Sequence, residues 1–265
     1  MAVITKITTQ QKNIGRYNVF LDEKFAFSVD EDVLIKFQLK KGMELDELSL
    51  MEIQYSDDIR KAYNSAIAYL ARRIRSEKEI WDYLLKKEME ELVINEVVHK
   101  LKTQNYLNDE EYAAAYVRTQ INTTDKGPNV IRMELIDKGI QKDIIQDCLR
   151  EFTGEQQLEK AVGITRKFFQ KNTKDSFHVL KQKLESLLLR KGYSFEVIQR
   201  AIAESAVEGN SVDELEAIRY QGEKVSRKYS HYTGYEYEQK MKQALYRKGF
   251  TIDLIEKFLD EQKPS

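Results

Sequence analysis

One cysteine, two prolines and three histidines in 265 residues exclude several kinds of protein before any motif is read. Cys148 stands alone, so no intrachain disulfide forms. It follows Ile144 by four positions on an apolar helix face, which predicts a buried small hydrophobe rather than a nucleophile. His99, His178 and His231 are dispersed. With no paired cysteines, no HExxH and no Walker-type glycine loop, nothing points to a catalytic group, a metal site or a cofactor. Acidic pairs such as Asp57-Asp58 and Asp109-Glu110 fall where helix starts favour negative charge, which accounts for them without catalysis. No apolar run approaches a membrane span and residues 1–30 carry no secretory pattern, so a soluble cytoplasmic protein is expected. The scarcity of proline leaves little material for irregular loops and favours helices. Net charge is low as well, at −1, and a protein holding duplex DNA by charge alone would be more basic. That near-neutrality hides segments: −4 over 1–58, +3 over 59–108, −3 over 109–153, +3 over 154–210 and neutral over 211–265.

What the chain has instead is a repeat. Four times it writes leucine, two spacers, lysine, a helix-stopping position and an apolar residue: Leu84–Met89, Leu135–Ile140, Leu188–Tyr193 and Leu245–Phe250. The stop is Gly139, Gly192 and Gly249 in the last three and Glu88 in the first. An apolar pair follows each, Val93-Ile94, Ile144-Ile145, Val197-Ile198 and Leu254-Ile255. A period near fifty residues means a tandem array, and arrays bind long objects more often than they perform chemistry. A glycine just past a helix takes the left-handed conformation. Lys87, Lys138, Lys191 and Lys248 then face the unpaired helix carbonyls, a role that leaves partner contact open.

The first 58 residues differ in kind. Tyr17, Val19 and Leu21 alternate with Arg16, Asn18 and Phe20, Asp22-Glu23 turns the chain, and Phe25, Phe27 and Val29 alternate on the return. This predicts a β-hairpin, with Val3–Thr8 as a third strand. Short helices follow from about Asp30, with Lys40-Lys41-Gly42 as a turn and Ser49 with Glu52 as a capping box. From Asp58 the period turns helical: Tyr63, Ile67, Leu70, Ala71 and Ile74 share one face. Ser76 with Glu79 opens a second helix carrying Trp81 and Leu85, and Val93, Ile94, Val97, Val98 and Leu101 mark a third. The cycle restarts at Asn108 with Glu111, with Pro128 opening its second helix. It restarts again at Thr153 with Gln156 and at Ser211 with Glu214, where Thr233 with Glu236 opens the second helix. The chain therefore reads as mainly α, with a small N-terminal β-hairpin domain over 1–58 and tandem three-helix repeats over 59–108, 109–153, 154–210 and 211–265.

Two constellations carry candidate function. Arg72-Arg73-Ile74-Arg75-Ser-Glu-Lys78 offers rigid guanidinium forks suited to carboxylates and phosphates. On a helical wheel Lys61, Arg72 and Arg75 share a flank away from the Ile67, Leu70 and Ile74 stripe, although a structural pairing of Arg75 with Glu79 explains that residue equally well. Between Arg219 and Lys248, eight basic residues outnumber three acids and are interleaved with Tyr220, Tyr229, Tyr232, Tyr235, Tyr237 and Tyr246. Bases with aromatics suit single-stranded nucleic acid or a protein surface. Tyr229 and Tyr237 fall on apolar stripes and read as core.

The residues Tyr69-Leu-Ala-Arg-Arg-Ile-Arg75-Ser-Glu-Lys-Glu-Ile80 resemble the signature that opens the RecX family, bacterial regulators of the recombinase RecA. Further matches follow in order at Tyr106-Leu-Asn-Asp109-Glu-Glu-Tyr-Ala-Ala, Lys126-Gly127-Pro128 and Arg132-Met-Glu-Leu-Ile-Asp-Lys138-Gly139-Ile140. The resemblance covers about 58 to 260, with the hairpin and fourth repeat resembling the longer form of the family. It implies repeats forming a curved elongated array that binds the RecA–DNA filament and restrains ATP hydrolysis, strand exchange and filament growth or stability. Recombination, DNA repair and the SOS response are the setting this implies. The candidate partner- or nucleic-acid-binding residues are then Arg72, Arg73, Arg75, Lys78, Lys126, Arg132, Lys138, Arg190, Lys191, Arg227, Lys228, Arg247 and Lys248. Expected partners are the RecA nucleoprotein filament and single- or double-stranded DNA, with no cofactor, no membrane and a monomeric state. A stand-alone single-stranded nucleic-acid-binding module and an architectural adaptor are the rival readings.

Overall fold

A computed structural model describes residues 1–11, 13–207 and 214–262, and these form two compact units. The first holds residues 1–113 and 137–144 and begins with a four-stranded antiparallel sheet. Strands β1 (Ala2–Thr9), β2 (Arg16–Leu21), β3 (Lys24–Asp30) and β4 (Glu44–Leu45) are ordered β3-β2-β1-β4. Asp22 and Glu23 both have positive φ, 48° and 67°, as a two-residue hairpin turn matching the twist of its strands requires. Helix α1 (Glu31–Lys36) follows β3, and Gly42 (φ +87°) turns the chain into the unforeseen edge strand β4. Ile4, Val19, Val29, Val33, Leu45 and Ile53 fill the core.

Helix α2 (Glu47–Leu70) is continuous through the expected boundary at 58/59. Its cap is Asp46, whose carboxylate accepts the Ser49 N–H at 2.8 Å, rather than the expected Ser49–Glu52 box. The acid directly after β4 reaches the third helical amide first, leaving Ser49 inside the helix. α2 ends at Leu70, so Arg72, Arg73 and Arg75 lie in a turn and share no helical flank with Lys61. Ile74, expected on the apolar face, is exposed for the same reason. The faces of α2 and α3 (Glu77–Leu85) that reach the core of the first repeat are Ala62 with Ala66 and Ile80 with Leu84. Trp81 is half-buried and Leu85 exposed, one position off the buried stripe. α4 (Glu91–Thr103) buries Val93, Ile94, Val97 and Leu101 against them.

The cycle then repeats as α5 (Asp109–Thr123), α6 (Pro128–Asp137) and α7 (Lys142–Leu149). Next come α8 (Gly154–Lys171), α9 (Phe177–Lys191) and α10 (Phe195–Val207), then α11 (Glu214–Lys228), α12 (Gly234–Arg247) and α13 (Ile252–Glu261). Residues 114–136 and those from 145 onward make the second unit. Capping boxes at Ser76/Glu79 and Thr153/Gln156 are complete, and Asn108 caps α5 through the Glu110 and Glu111 amides. Thr233 sits at the N-cap of α12 but makes no side-chain cap bond, contrary to expectation; its φ of −136° lies well away from the value near −60° to −75° of the capping Ser76, Thr153 and Ser176. The Ser211 cap lies outside the described residues. Cys148 is half-buried, not buried, because Ile145 and Leu149 take the inward positions of α7.

The four leucines of the repeated motif, Leu84, Leu135, Leu188 and Leu245, are all fully buried. The stop positions are left-handed in every copy, with φ of 59° at Glu88, 82° at Gly139, 92° at Gly192 and 84° at Gly249. Past them the Met89, Tyr193 and Phe250 amides return to the Leu84, Leu188 and Leu245 carbonyls, closing the helix ends as a Schellman motif does.

These stops also join one repeat to the next. The N-cap hydroxyl of Ser76 donates to the Lys138 carbonyl at 2.9 Å, and that of Ser176 to the Lys248 carbonyl at 2.6 Å. Gly127, at the start of α6, replaces the hydroxyl with its own N–H, 2.6 Å from the Lys191 carbonyl, and the Asn129 N–H reaches the Gly192 carbonyl. A second bond runs alongside: the Glu77 amide donates to Asp109 and the Phe177 amide to Glu214, each at 2.9 Å. At the middle junction Pro128 occupies that position and has no amide to satisfy. Helix-end carbonyls left orphaned by the stop are thus paired with the amino end of a helix one repeat earlier. Ser76, fully buried, accepts from the Glu79 amide while donating to Lys138. Ser76→Ala is expected to cost about 1–3 kcal/mol, read by denaturant unfolding. A loss below about 0.5 kcal/mol would remove the junction role.

Candidate partner-binding surfaces

In the first unit the arginine turn gathers on one acid. Glu79 is 2.7 Å from Arg73, 3.5 Å from Lys138 and 3.9 Å from Arg75, and it also accepts the Ser76 amide. Burial works against its charge, but the Arg73 and Ser76 bonds and the field of Lys138 outweigh it, holding the carboxyl below its usual range. Arg75 is 11% exposed and lies 3.9 Å over the Tyr69 ring, which stacks on Tyr83 at 4.0 Å with Lys87 over the far face. Cation–aromatic contacts of this kind are worth about 0.5–2 kcal/mol. Lys78 donates to the Asp137 carbonyl, while Arg72 is exposed and makes no hydrogen bond or ion pair with any described residue. Of the sequence candidates the structure therefore brings together Arg73, Arg75, Lys78 and Lys138, and leaves Arg72 projecting from the turn.

The lysines before the stops do not share one role. Lys138 pairs with Glu79, Lys191 lies 3.6 Å from Asp125, and Lys87 caps an aromatic stack. In each junction it is the lysine's backbone carbonyl that matters. The remaining candidates are spread over the second unit. Lys126 pairs with Glu134, Arg132 is exposed, and Arg190 bonds the Ser186 carbonyl. Arg227 is 81% exposed with Glu223 4.0 Å away; Arg247 is exposed and Lys248 half-buried.

The fourth repeat pairs amines with tyrosines. Lys228 lies over Tyr229 and Lys240 over Tyr232, whose ring also meets His231 at 4.1 Å. Tyr235 and Tyr246 are exposed, while Tyr229 and Tyr237 pack on the core as the apolar stripes predict. Lys174, over Tyr220, lies outside the basic, tyrosine-rich stretch 219–248 that the sequence singles out. Lys174 belongs to the preceding repeat, and nothing in its local sequence reports which aromatic it meets. Among the described residues no cluster of histidine, cysteine and carboxylate is placed to hold a metal ion, and no helix is long and apolar enough to cross a membrane.

Sequence profiles of known families match along the chain. The "Regulatory protein RecX N-terminal domain" matches residues 2–46. "RecX, first three-helix domain" matches 62–101, and "RecX, second three-helix domain" matches 108–149. "RecX, third three-helix domain" matches twice, at 155–202 and 212–259. The "Regulatory protein RecX" of Bacillus subtilis (strain 168) is 49% identical over 263 residues, covering 99% of this chain and all of that protein. Its counterpart in Bacillus velezensis is 48% identical with the same coverage. A solved structure described as "Crystal structure of regulatory protein RecX" superposes with a TM-score of 0.68 at 40% identity, over 77% of this chain and 100% of that one. RecX from Lactobacillus salivarius gives 0.55 at 39% identity, over 57% of this chain and 99% of that one.

Proposed function

The chain belongs to the RecX family of regulatory proteins, and from that premise we propose that it binds the RecA–DNA filament and restrains RecA's ATP hydrolysis, strand exchange and filament growth or stability. The observation that carries this reading is the match of nearly the whole chain, sheet and all four repeats, to relatives named as regulatory proteins. Consecutive repeats with a recurring helix-end junction suit an extended partner, since repeat arrays characteristically use extended binding surfaces. The protein acts in the cytoplasm as a monomer without a cofactor and without catalysis of its own. Its five segments, 1–58, 59–108, 109–153, 154–210 and 211–265, are the proposed working units.

Within this reading Arg72 is the projecting cation of the arginine turn, and Arg73, Arg75 and Lys138 hold that turn in place through Glu79. Arg72→Glu is expected to weaken inhibition of RecA several-fold while stability stays within about 0.5 kcal/mol, as at ordinary surface sites. Arg75→Glu would break the aromatic stack and is the poorer probe. Unchanged inhibition by the Arg72 variant would sink that assignment. The reading as a whole is tested by titrating the protein, well below RecA in amount, into single-strand-dependent ATP hydrolysis by RecA of the same organism. Substoichiometric inhibition is expected. Inhibition only when the DNA is coated would favour the second reading, a stand-alone single-strand-binding module, which the lysine–tyrosine pairs of the fourth repeat support.

A further inference from the structure

Two amines converge on one phenol at the meeting of the third and fourth repeats. Lys174 Nζ lies 5.0 Å and Lys224 Nζ 4.3 Å from the centre of the Tyr220 ring. Tyr220 and Lys224 are one turn apart on α11, whereas Lys174 comes from the segment before α9. That segment is tied down independently of the lysine side chain. Gln221, 7% exposed, donates to the Lys174 carbonyl at 2.6 Å and to Asp175 at 3.1 Å, and the Phe177 amide is bound to Glu214. The nearest acid in sequence, Asp175, is occupied by Gln221 and Lys183. Neither amine forms an ion pair with a carboxylate of the described residues. Lys224, and with it Lys174, holds the ionisation of the Tyr220 hydroxyl below the ordinary value of 10.0 against the opposing effect of burial.

We propose that Lys174, Tyr220 and Lys224 bind a phosphate group. Two ammonium groups drawn to one ring without a counter-charge leave positive charge unbalanced there, and a bound oxyanion removes that imbalance. Ammonium groups act as rotatable point-charge donors, and with the phenol O–H they supply three donors from two elements. Nucleic-acid backbone and free phosphate offer the same oxyanion. In the same repeat Tyr232, under Lys240, and the exposed Tyr235 add aromatic faces on which unstacked bases can lie, which a free anion does not use. The site stands apart from the RecA reading, and its tests contain no RecA.

The full-length protein is treated with a limiting acetylating reagent, and modification at Lys174 and Lys224 is read by mass spectrometry. Three samples are compared: alone, with oligothymidylate, and with inorganic phosphate at matched ionic strength. Protection of both lysines by the oligonucleotide identifies backbone phosphate, protection by inorganic phosphate alone identifies a free-anion site, and protection by neither overturns the proposal. Lys174→Gln/Lys224→Gln is then compared with wild type by fluorescence anisotropy of labelled oligothymidylate across a salt series. The double variant is expected to bind roughly tenfold more weakly, with a salt slope shallower by about 0.7 for the loss of one single-strand phosphate contact. Where the oligonucleotide protects, an unchanged slope and affinity would equally overturn the site. Arg219→Gln, which removes a cation already paired with Glu261, controls for general charge.

Discussion

Gly192→Ala is expected to destabilise the protein by about 2–5 kcal/mol, the sum of a left-handed backbone forced on an L-residue and overpacking against a neighbour that cannot give. Gly192 has φ +92°, and a Cβ there would stand 2.5 Å from the backbone nitrogen of Val130. The obstructing atom is backbone at the start of α6, not the end of a flexible side chain. Glu88 is the informative contrast. It takes the same left-handed conformation, φ 59°, at a stop with no preceding repeat docked on it, and it is exposed. Only the conformational cost applies there, so Glu88→Gly is expected to stabilise by about 1 kcal/mol. Repeat proteins lose cooperativity readily, so the readout is amide exchange around 127–131 and 188–193 together with global unfolding. If Gly192→Ala and wild type exchange alike, close approach is not what that glycine serves.

Asp57→Ala is expected to loosen the sheet from α2 at a cost of about 3–5 kcal/mol, the range for removing one member of a buried ion pair. The Asp57 side chain is 4% exposed and accepts from Arg16 at 2.8 and 3.2 Å, from Lys61 at 2.9 Å and from the Asp30 amide at 2.8 Å. Arg16 is itself only 17% exposed, so the variant strands a cation as well as an amide. Burial raises the Asp57 carboxyl, but the bonds from Arg16, Lys61 and Asp30 prevail and hold it below its ordinary 3.8. A folded value beneath the unfolded one means this stabilisation is complete above the unfolded value and disappears as pH falls through the folded one. Wild type should therefore lose stability to acid more steeply than Asp57→Ala below about pH 5. Parallel acid profiles of amide exchange over 16–30 would show that Asp57 is not the group responsible.

Much of this was open to a reader of residues alone. The hairpin turn at Asp22-Glu23, the boxes at Ser76 and Thr153 and the buried leucines of the four motifs follow from rules acting within a few positions. The two departures at the ends of α2 share a cause. Ser49 loses the cap to Asp46 and α2 ends at Leu70 because two adjacent local signals compete, and the outcome depends on where β4 and α3 place the backbone. The arginine turn was visible as a cluster, but its division into Arg73 and Arg75, bound to Glu79 and Tyr69, and Arg72, left projecting, was not.

Periodicity and short-range chemistry thus suffice for the number of repeats, the left-handed stop after each motif and the burial of each leucine, because those depend on spacings of 3, 4 and 5 residues that the chain carries openly. Which atoms meet across some 45 to 65 residues does not follow from spacing. Ser76 with the Lys138 carbonyl, Gly127 with that of Lys191, and Lys174 over Tyr220 are brought together only when one repeat docks on the next. The physical reason is that a left-handed glycine has one meaning for its own helix and another for its neighbour. Closing the helix is local, whereas offering a surface without a Cβ gains value only once a second backbone arrives there.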